Sequence, residues 1–142
     1  MKERVLLVDD EEEYLEIMSE RMRARDIEVT TSTSARAALD MIATESFDAV
    51  IMDFMMPEMN GIEALKAIKE KNPEMQIILL TGHATIEKTV EAMKAGAMDL
   101  IEKPADLDAL SEKIKSAHSQ KALIVAKKDQ DRVMAMLKKF GM

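Results

Sequence analysis

The sequence of 142 residues predicts one α/β domain built on a five-stranded parallel sheet with helices on both faces. Five short apolar runs alternate strictly with five amphipathic segments, and this alternation indicates parallel strands joined by right-handed crossovers. The length suits one domain with a substantial core. The chain has no cysteine, which excludes disulfides, thiolate metal sites and cysteine nucleophiles.

The first two strand and helix units fill the N-terminal third of the chain. An apolar strand over residues 4–8 is followed by acidic residues that suit a helix start, and Asp10 with Glu13 fits a capping box. The second strand, residues 27–31, is half polar, which is typical of an edge strand. Residues 33–44 then carry an apolar face at helical spacing and predict the second helix.

The remaining three units follow the same order. The third strand covers residues 48–52, and Asn60, three residues before Glu63, caps a third helix that ends near residue 71. The fourth strand covers residues 76–80. A helix over residues 85–95 ends at Gly96, a strand follows over residues 97–101, and the fifth helix begins near Asp106.

Polar side chains follow four of the predicted strands. They are Asp9 and Asp10 after strand one, Asp53 after strand three, Thr81 after strand four and Lys103 after strand five. Ligands of open parallel sheets bind outside the carboxyl ends of the strands. If strands one and three are neighbours, three carboxylates converge and raise one another's pKa values unless a cation intervenes. Carboxylate oxygens suit Mg²⁺ or Mn²⁺.

These residue types also predict phosphoryl chemistry. The Asp53 carboxylate would act as a nucleophile on phosphorus, as in aspartyl-phosphate enzymes. Lys103 would neutralise phosphoryl oxygens and the Thr81 hydroxyl would hydrogen-bond to one of them. Taken singly, each residue also has an ordinary structural explanation, such as a helix cap, a turn or a solvated charge.

At these motifs the chain resembles the response-regulator receiver domain of two-component signalling. The likeness covers about residues 3–118 and rests on the acid pair after strand one, the loop Asp53-x-x-Met56-Pro57-x-Met59-x-Gly61, Thr81-Gly82 and Lys103-Pro104. It implies a flavodoxin-like doubly wound sheet with strand order 2-1-3-4-5. It also divides the chain into a receiver domain, residues 1–120, and a helical extension, residues 121–142.

The resemblance implies roles for the site residues. Asp53 would accept a phosphoryl group from a sensor histidine kinase, and phosphorylation would switch the face formed by helix four, strand five and helix five for a protein target. Mg²⁺ would bind Asp10, Asp53 and the Met55 carbonyl, with Asp9 acting through water. Thr81 and Lys103 would read out the phosphate.

Three positions modulate this expectation. Receivers often carry a switch aromatic where this chain has Leu100, so switching is expected to rely on movement of the loop after strand four. Met55 and His83 lie two residues beyond Asp53 and Thr81, and the resemblance places both beside the path of attacking water. The apolar Met55 is expected to slow dephosphorylation. His83 and His118 are expected to be exposed.

The C-terminal segment has its own pattern. Residues 112–142 hold 8 Lys+Arg against 3 Asp+Glu, whereas residues 1–111 hold 12 against 24. From residue 105 to 140 there is no glycine or proline, and apolar residues fall nearly at heptad spacing. Two structures remain open: one long helix, or a fifth helix that stops near Ser119 and a short helix that folds back on the domain. The segment is expected to mediate homodimerisation or partner docking.

Charge and hydropathy exclude several function classes. The acidic body argues against direct nucleic-acid binding, and no apolar run approaches the length of a membrane span. A soluble, cytoplasmic protein is expected. Two alternative functions are a phosphate-independent interaction module, suggested by Leu100, and a Mg²⁺-dependent aspartyl-phosphate phosphatase. The phosphatase is disfavoured because Met55 stands where such enzymes need an acid.

Overall fold

A computed structural model describes residues 2–141, which form alternating strands and helices. In chain order the elements are β1 (Arg4–Val8), α1 (Glu12–Arg23), β2 (Glu28–Ser32), α2 (Ala35–Thr44), β3 (Ala49–Asp53), α3 (Gly61–Lys71), β4 (Gln76–Thr81), α4 (Ile86–Ala95), β5 (Asp99–Glu102) and α5 (Leu107–Lys139). The predicted α/β class is confirmed.

The five strands form one parallel sheet in the order β2-β1-β3-β4-β5, as predicted. Successive residues of each strand point to opposite faces of the sheet, so each strand contributes side chains to two hydrophobic cores, one on each face. Leu6 and Val8 of β1 pack with α2, α3 and α4, whereas Val5 and Leu7 pack with α1 and α5. Burial of both faces explains why the central strands are almost wholly apolar.

Helix caps account for most helix starts. Ser34, Asn60, Thr85 and Asp106 each accept a hydrogen bond from a backbone N–H in the first turn of the following helix. The first helix differs from the prediction. Its N-cap is Glu11, without a side-chain bond, so the predicted Asp10 capping box is wrong. Asp9 instead accepts a hydrogen bond from the Glu11 N–H at 2.9 Å.

The fifth strand begins two residues later than predicted. Gly96 ends α4 with a positive φ of 103°, and the Ala97 N–H donates to the Ala92 carbonyl at 3.0 Å. Ala97 is therefore part of the helix terminus and cannot start a strand. The sheet pairing of β5 begins at Asp99, opposite Ile78.

The last helix is one continuous element of 33 residues. The alternative in which the helix stops near Ser119 and folds back is wrong. Its first half packs on the sheet through Leu110, Ile114 and Ala117, which are fully buried. Beyond residue 121 nearly every residue is exposed, so the helix extends past the domain.

Polar contacts with residues at the amino end of β3 hold α5 against the domain. His118 is half-buried rather than exposed as predicted, and its Nδ1 lies 2.8 Å from Asp48 Oδ1. The Lys121 ammonium donates to Ser46 Oγ and to the Phe47 carbonyl. A further ion pair joins Lys128 to Glu74. No helix within residues 2–141 combines the length and the apolar character needed to cross a bilayer.

Candidate functional site

Three carboxylates meet at the carboxyl ends of β1 and β3. These strands are neighbours in register, with Val8 opposite Met52, so Asp9, Asp10 and Asp53 leave the sheet together. One oxygen from each carboxylate lies within 4.8 Å of the other two. Asp9 is buried, Asp53 is partly buried and Asp10 is exposed, so the cluster opens to solvent on the side of Asp10. The predicted convergence is observed.

Lys103 brings a cation into this cluster from the end of β5. Its backbone N–H donates to the Thr81 carbonyl at 2.7 Å, which continues the pairing of β4 with β5. Its ammonium lies 2.8 Å from Asp9 Oδ2 and 3.7 Å from Asp53 Oδ1. Burial lowers the pKa of Lys103. The hydrogen bond to Asp9 and the negative charges of Asp9 and Asp53 raise it by more, so the net shift is upward. Lys103 is thus a fixed cation.

The surroundings of Asp53 raise the pKa of its carboxyl group above the usual value. Burial raises its pKa, the charge of Lys103 lowers it, and the charges of Asp9 and Asp10 raise it again, so the net shift is upward. Repulsion between like charges can be relieved by a divalent cation. The exposed opening at Asp10 and the all-oxygen donor set fit Mg²⁺ or Mn²⁺, which retain water ligands.

Thr81 is the last residue of β4 and is buried. Its hydroxyl lies 3.3 Å from both the backbone N–H and the carbonyl of His83, and it donates to the carbonyl. The Lys88 ammonium donates to the same carbonyl at 2.8 Å and lies 3.5 Å from the Thr81 hydroxyl. The hydroxyl therefore contacts the loop after β4 and not the carboxylates.

The loop after Asp53 is held by a close backbone approach at Gly61. The Gly61 N–H donates to the Phe54 carbonyl at 2.8 Å. A Cβ at this position would lie 2.7 Å from the Asp53 carbonyl oxygen and 2.9 Å from Phe54 Cα. Only glycine fits there without moving the backbone of the loop that begins with Asp53.

The three modulating positions differ in their exposure. Met55 and His83 are both exposed, and 64% of the Met55 surface is accessible. Leu100 is partly buried and packs against the core beneath α4. The roles assigned to these residues remain predictions.

Two further side chains reach the site without having been predicted there. The Lys103 ammonium lies 4.3 Å from the centre of the Tyr14 ring, and Lys88 lies beside Thr81. Tyr14 lies in the first turn of α1, directly after the acidic run that follows β1, and its place near the carboxyl end of β1 was the available signal. Lys88 follows Thr81 by seven residues across a loop, and the sequence carried no signal for it.

A sequence model of the response regulator receiver domain matches residues 5–115, which include the three carboxylates, Thr81 and Lys103. The chain belongs to the response-regulator receiver family. It is 33% identical over 138 residues to the transcriptional regulatory protein ZraR of Escherichia coli O157:H7. That match covers 97% of this receiver but 30% of ZraR, so this chain spans less than a third of the relative's length.

Solved receiver structures share the fold. A receiver domain protein from Clostridium thermocellum is 33% identical with a TM-score of 0.81, over 86% of this chain and 98% of that one. The beryllofluoride-activated NtrC4 receiver domain dimer is 31% identical with a TM-score of 0.77, over 83% of this chain and 98% of that one. The protein is therefore a response-regulator receiver of two-component signalling.

Proposed function

We propose that this receiver is a phosphorylation switch whose Asp53 carboxylate accepts a phosphoryl group from a sensor histidine kinase. A carboxylate oxygen of Asp53 forms a bond to phosphorus as the bond from phosphorus to the kinase imidazole nitrogen breaks. That nitrogen keeps the electron pair, and an acyl phosphate remains on Asp53. The observation that supports this proposal is the convergence of Asp9, Asp10 and Asp53 beside Lys103.

The groups around Asp53 would bind the metal ion and neutralise the phosphoryl charge. Asp10, Asp53 and the Met55 carbonyl would hold Mg²⁺, with Asp9 acting through water. When bound, Mg²⁺ would screen the charge between the carboxylate and the phosphoryl oxygens. The Lys103 ammonium, 3.7 Å from Asp53, neutralises a phosphoryl oxygen. The chain turns over no metabolite and catalyses only its own phosphorylation and dephosphorylation.

Thr81 supplies the switch. Its hydroxyl is held by His83 in this structure, and it would turn toward a phosphoryl oxygen on Asp53. That turn breaks the Thr81 to His83 bond and frees the loop that leads into α4. Leu100 has no ring or hydroxyl to follow the movement, so the change passes through the backbone of the loop and α4.

Two other functions fit this site less well. A phosphatase with an Asp nucleophile needs an acid two residues later, and Met55 is there with an exposed apolar side chain. A phosphate-independent interaction module would suit Leu100 but would leave the complete acidic cluster without a use. Beryllofluoride, which mimics a phosphoryl group on a carboxylate, distinguishes the switch from the module.

The test is a beryllofluoride titration followed by amide NMR in Mg²⁺. The switch predicts Mg²⁺-dependent shifts at Thr81, His83 and α4 that are absent in Asp53→Asn. A spectrum that beryllofluoride leaves unchanged in Mg²⁺ would favour the phosphate-independent module.

We also propose that the helical extension is a dimerisation segment. Leu123, Ala126, Gln130, Val133, Leu137 and Phe140 are spaced alternately by three and four residues, and we call this set the C-terminal stripe. Its large apolar members are between 38% and 70% exposed. This spacing is the seam of a coiled coil, whose natural complement is the same stripe on a second copy. The NtrC4 neighbour is itself a receiver dimer.

Two matched variants test the dimer. Val133 lies on the stripe and is 55% exposed, and Val125 lies on the side of the same helix that faces away from the stripe and is 50% exposed. Val133→Glu is expected to lower the mass measured by light scattering to that of a monomer, whereas Val125→Glu leaves a dimer. A monomeric mass for the unsubstituted chain would overturn the proposal.

A further inference from the structure

The catalytic lysine of the proposed reaction has an aromatic neighbour. Lys103 Nζ lies 4.3 Å from the centre of the Tyr14 ring, which is within the range of a cation–π contact. The two side chains come from α1 and from the segment after β5. The Tyr14 side chain is partly buried and packs against the apolar core between the sheet and helices α1 and α5.

The ring, and not the hydroxyl, is the functional part of this side chain. The Tyr14 hydroxyl is buried and has no hydrogen-bond partner among residues 2–141. A buried hydroxyl without a partner costs stability, so the hydroxyl does not explain why tyrosine is there. The ring face does, because it is an apolar surface that attracts a cation.

Lys103 needs such a surface. Its flexible stem and three donors allow many conformations, and ordering it costs conformational entropy. Only 20% of its side chain is exposed, so it has lost much of its hydration. An aliphatic neighbour would remove water from the ammonium without compensation, whereas a ring face replaces part of that hydration.

We propose that Tyr14 is a positioning residue that holds the Lys103 ammonium at Asp9 and Asp53. This inference rests on the proposed phosphoryl transfer, because its consequence is a faster reaction at Asp53. Tyr14 touches neither the acceptor oxygen nor the phosphoryl group. It acts through Lys103, so removal of the ring should matter only while Lys103 is present.

The contact is tested first, without any phosphorylation. Protons that lie over an aromatic face resonate upfield, so the side-chain methylene signals of Lys103 should be shifted upfield in the unsubstituted chain. Tyr14→Phe should keep that shift and Tyr14→Leu should abolish it. Tyr14 is the only tyrosine and the chain has no tryptophan, which simplifies assignment.

The consequence is tested by the rate of phosphorylation from acetyl phosphate in Mg²⁺. Tyr14→Leu should slow the reaction about 2- to 30-fold, the range that a cation–π contact provides. Tyr14→Phe should restore most of the rate. In a Lys103→Met background, which is itself slow, Tyr14→Leu should have no further effect. A substitution that merely perturbs the fold would slow both backgrounds alike.

The outcomes separate this inference from the proposed function. Lys103 signals that are the same in the unsubstituted chain and in Tyr14→Leu would overturn the contact. Equal phosphorylation rates in those two chains would overturn the positioning role. If the unsubstituted chain shows the shift but never gains a phosphoryl group, the proposed function fails, the rate effect fails with it, and the contact stands.

Discussion

Lys103 pairs more closely with Asp9 than with the proposed acceptor: its ammonium lies 2.8 Å from Asp9 Oδ2 and 3.7 Å from Asp53 Oδ1. The pair joins the ends of β1 and β5, which are separated in the sheet by β3 and β4. Asp9 is 1% exposed, so it relies on this partner for much of the compensation for its burial. The lysine therefore has a structural role before any reaction occurs.

Lys103→Met is expected to destabilise the fold. The substitution leaves the Asp9 carboxylate buried without its ammonium partner, which costs about 3–5 kcal/mol. Urea unfolding in the absence of Mg²⁺ measures the loss. Lys66→Met is the matched control because Lys66 is exposed on α3. Equal free energies of unfolding for the two variants would contradict the structural role of Lys103.

Asp53→Asn is expected to stabilise the metal-free fold at neutral pH. The pKa of Asp53 is raised by burial and by neighbouring acids, so the folded chain binds this proton more tightly than the unfolded chain. The stability gained from that proton is fully present below the unfolded pKa and is lost as the pH rises through the folded pKa. At neutral pH the charged carboxylate is therefore a cost that asparagine removes.

Urea unfolding across a pH series tests this sign. The advantage of Asp53→Asn should be largest near neutral pH, and should shrink as the pH falls through the raised pKa of Asp53 and when Mg²⁺ is added. Asp40→Asn, at an exposed position on α2, should have little effect at any pH. A less stable Asp53→Asn at pH 7 would contradict the electrostatic account.

Gly61→Ala is expected to disturb the acceptor loop. The added Cβ would lie 2.7 Å from the Asp53 carbonyl oxygen, and the obstacle is backbone and not a flexible side chain. We expect a loss of about 1–3 kcal/mol in the free energy of unfolding, and slower phosphorylation. Gly82→Ala is the control, because a Cβ there meets nothing within 4 Å. Equal stability of the two variants would show that the loop adapts freely.

Met55→Asn is expected to shorten the life of the phosphorylated state. Met55 is exposed beside Asp53, and its apolar side chain would hinder the water that attacks the acyl phosphate. Asparagine can hydrogen-bond that water, and a gain of about tenfold in rate corresponds to ~1.4 kcal/mol. Loss of label from the phosphorylated chain measures the rate. Met136→Asn supplies the same change far from the site, and an unchanged rate in Met55→Asn refutes the role.

The fold was predictable because its information is local. Five apolar runs and the helix boundaries signalled by Asn60 and Gly96 located the five strands and helices α2, α3 and α4 within about two residues. The error at β5 has a local cause, since Ala97 and Met98 read as strand residues while the Ala97 N–H caps α4. The sequence leaves the length of α5 open because an exposed heptad pattern fits both a long helix and a folded-back one.

The site was predictable only in part. Residues at strand ends must meet once the strand order is set, so the acids, Thr81 and Lys103 could be assigned to one place. Contacts between distant segments carry no such pattern. The bond from His118 to Asp48 joins residues 70 positions apart, and a polar stretch of helix gave no sign that His118 would be half-buried. The contact of the Tyr14 ring with Lys103 likewise joins distant segments of the chain.

The most direct test of the central claim is the intact mass of the chain after incubation with acetyl phosphate, with and without Mg²⁺, beside Asp53→Asn. The phosphorylation switch predicts one Mg²⁺-dependent phosphoryl adduct in the unsubstituted chain and none in Asp53→Asn. An adduct that persists in Asp53→Asn would place the acceptor elsewhere. Absence of any adduct, together with no response to beryllofluoride, would contradict the switch.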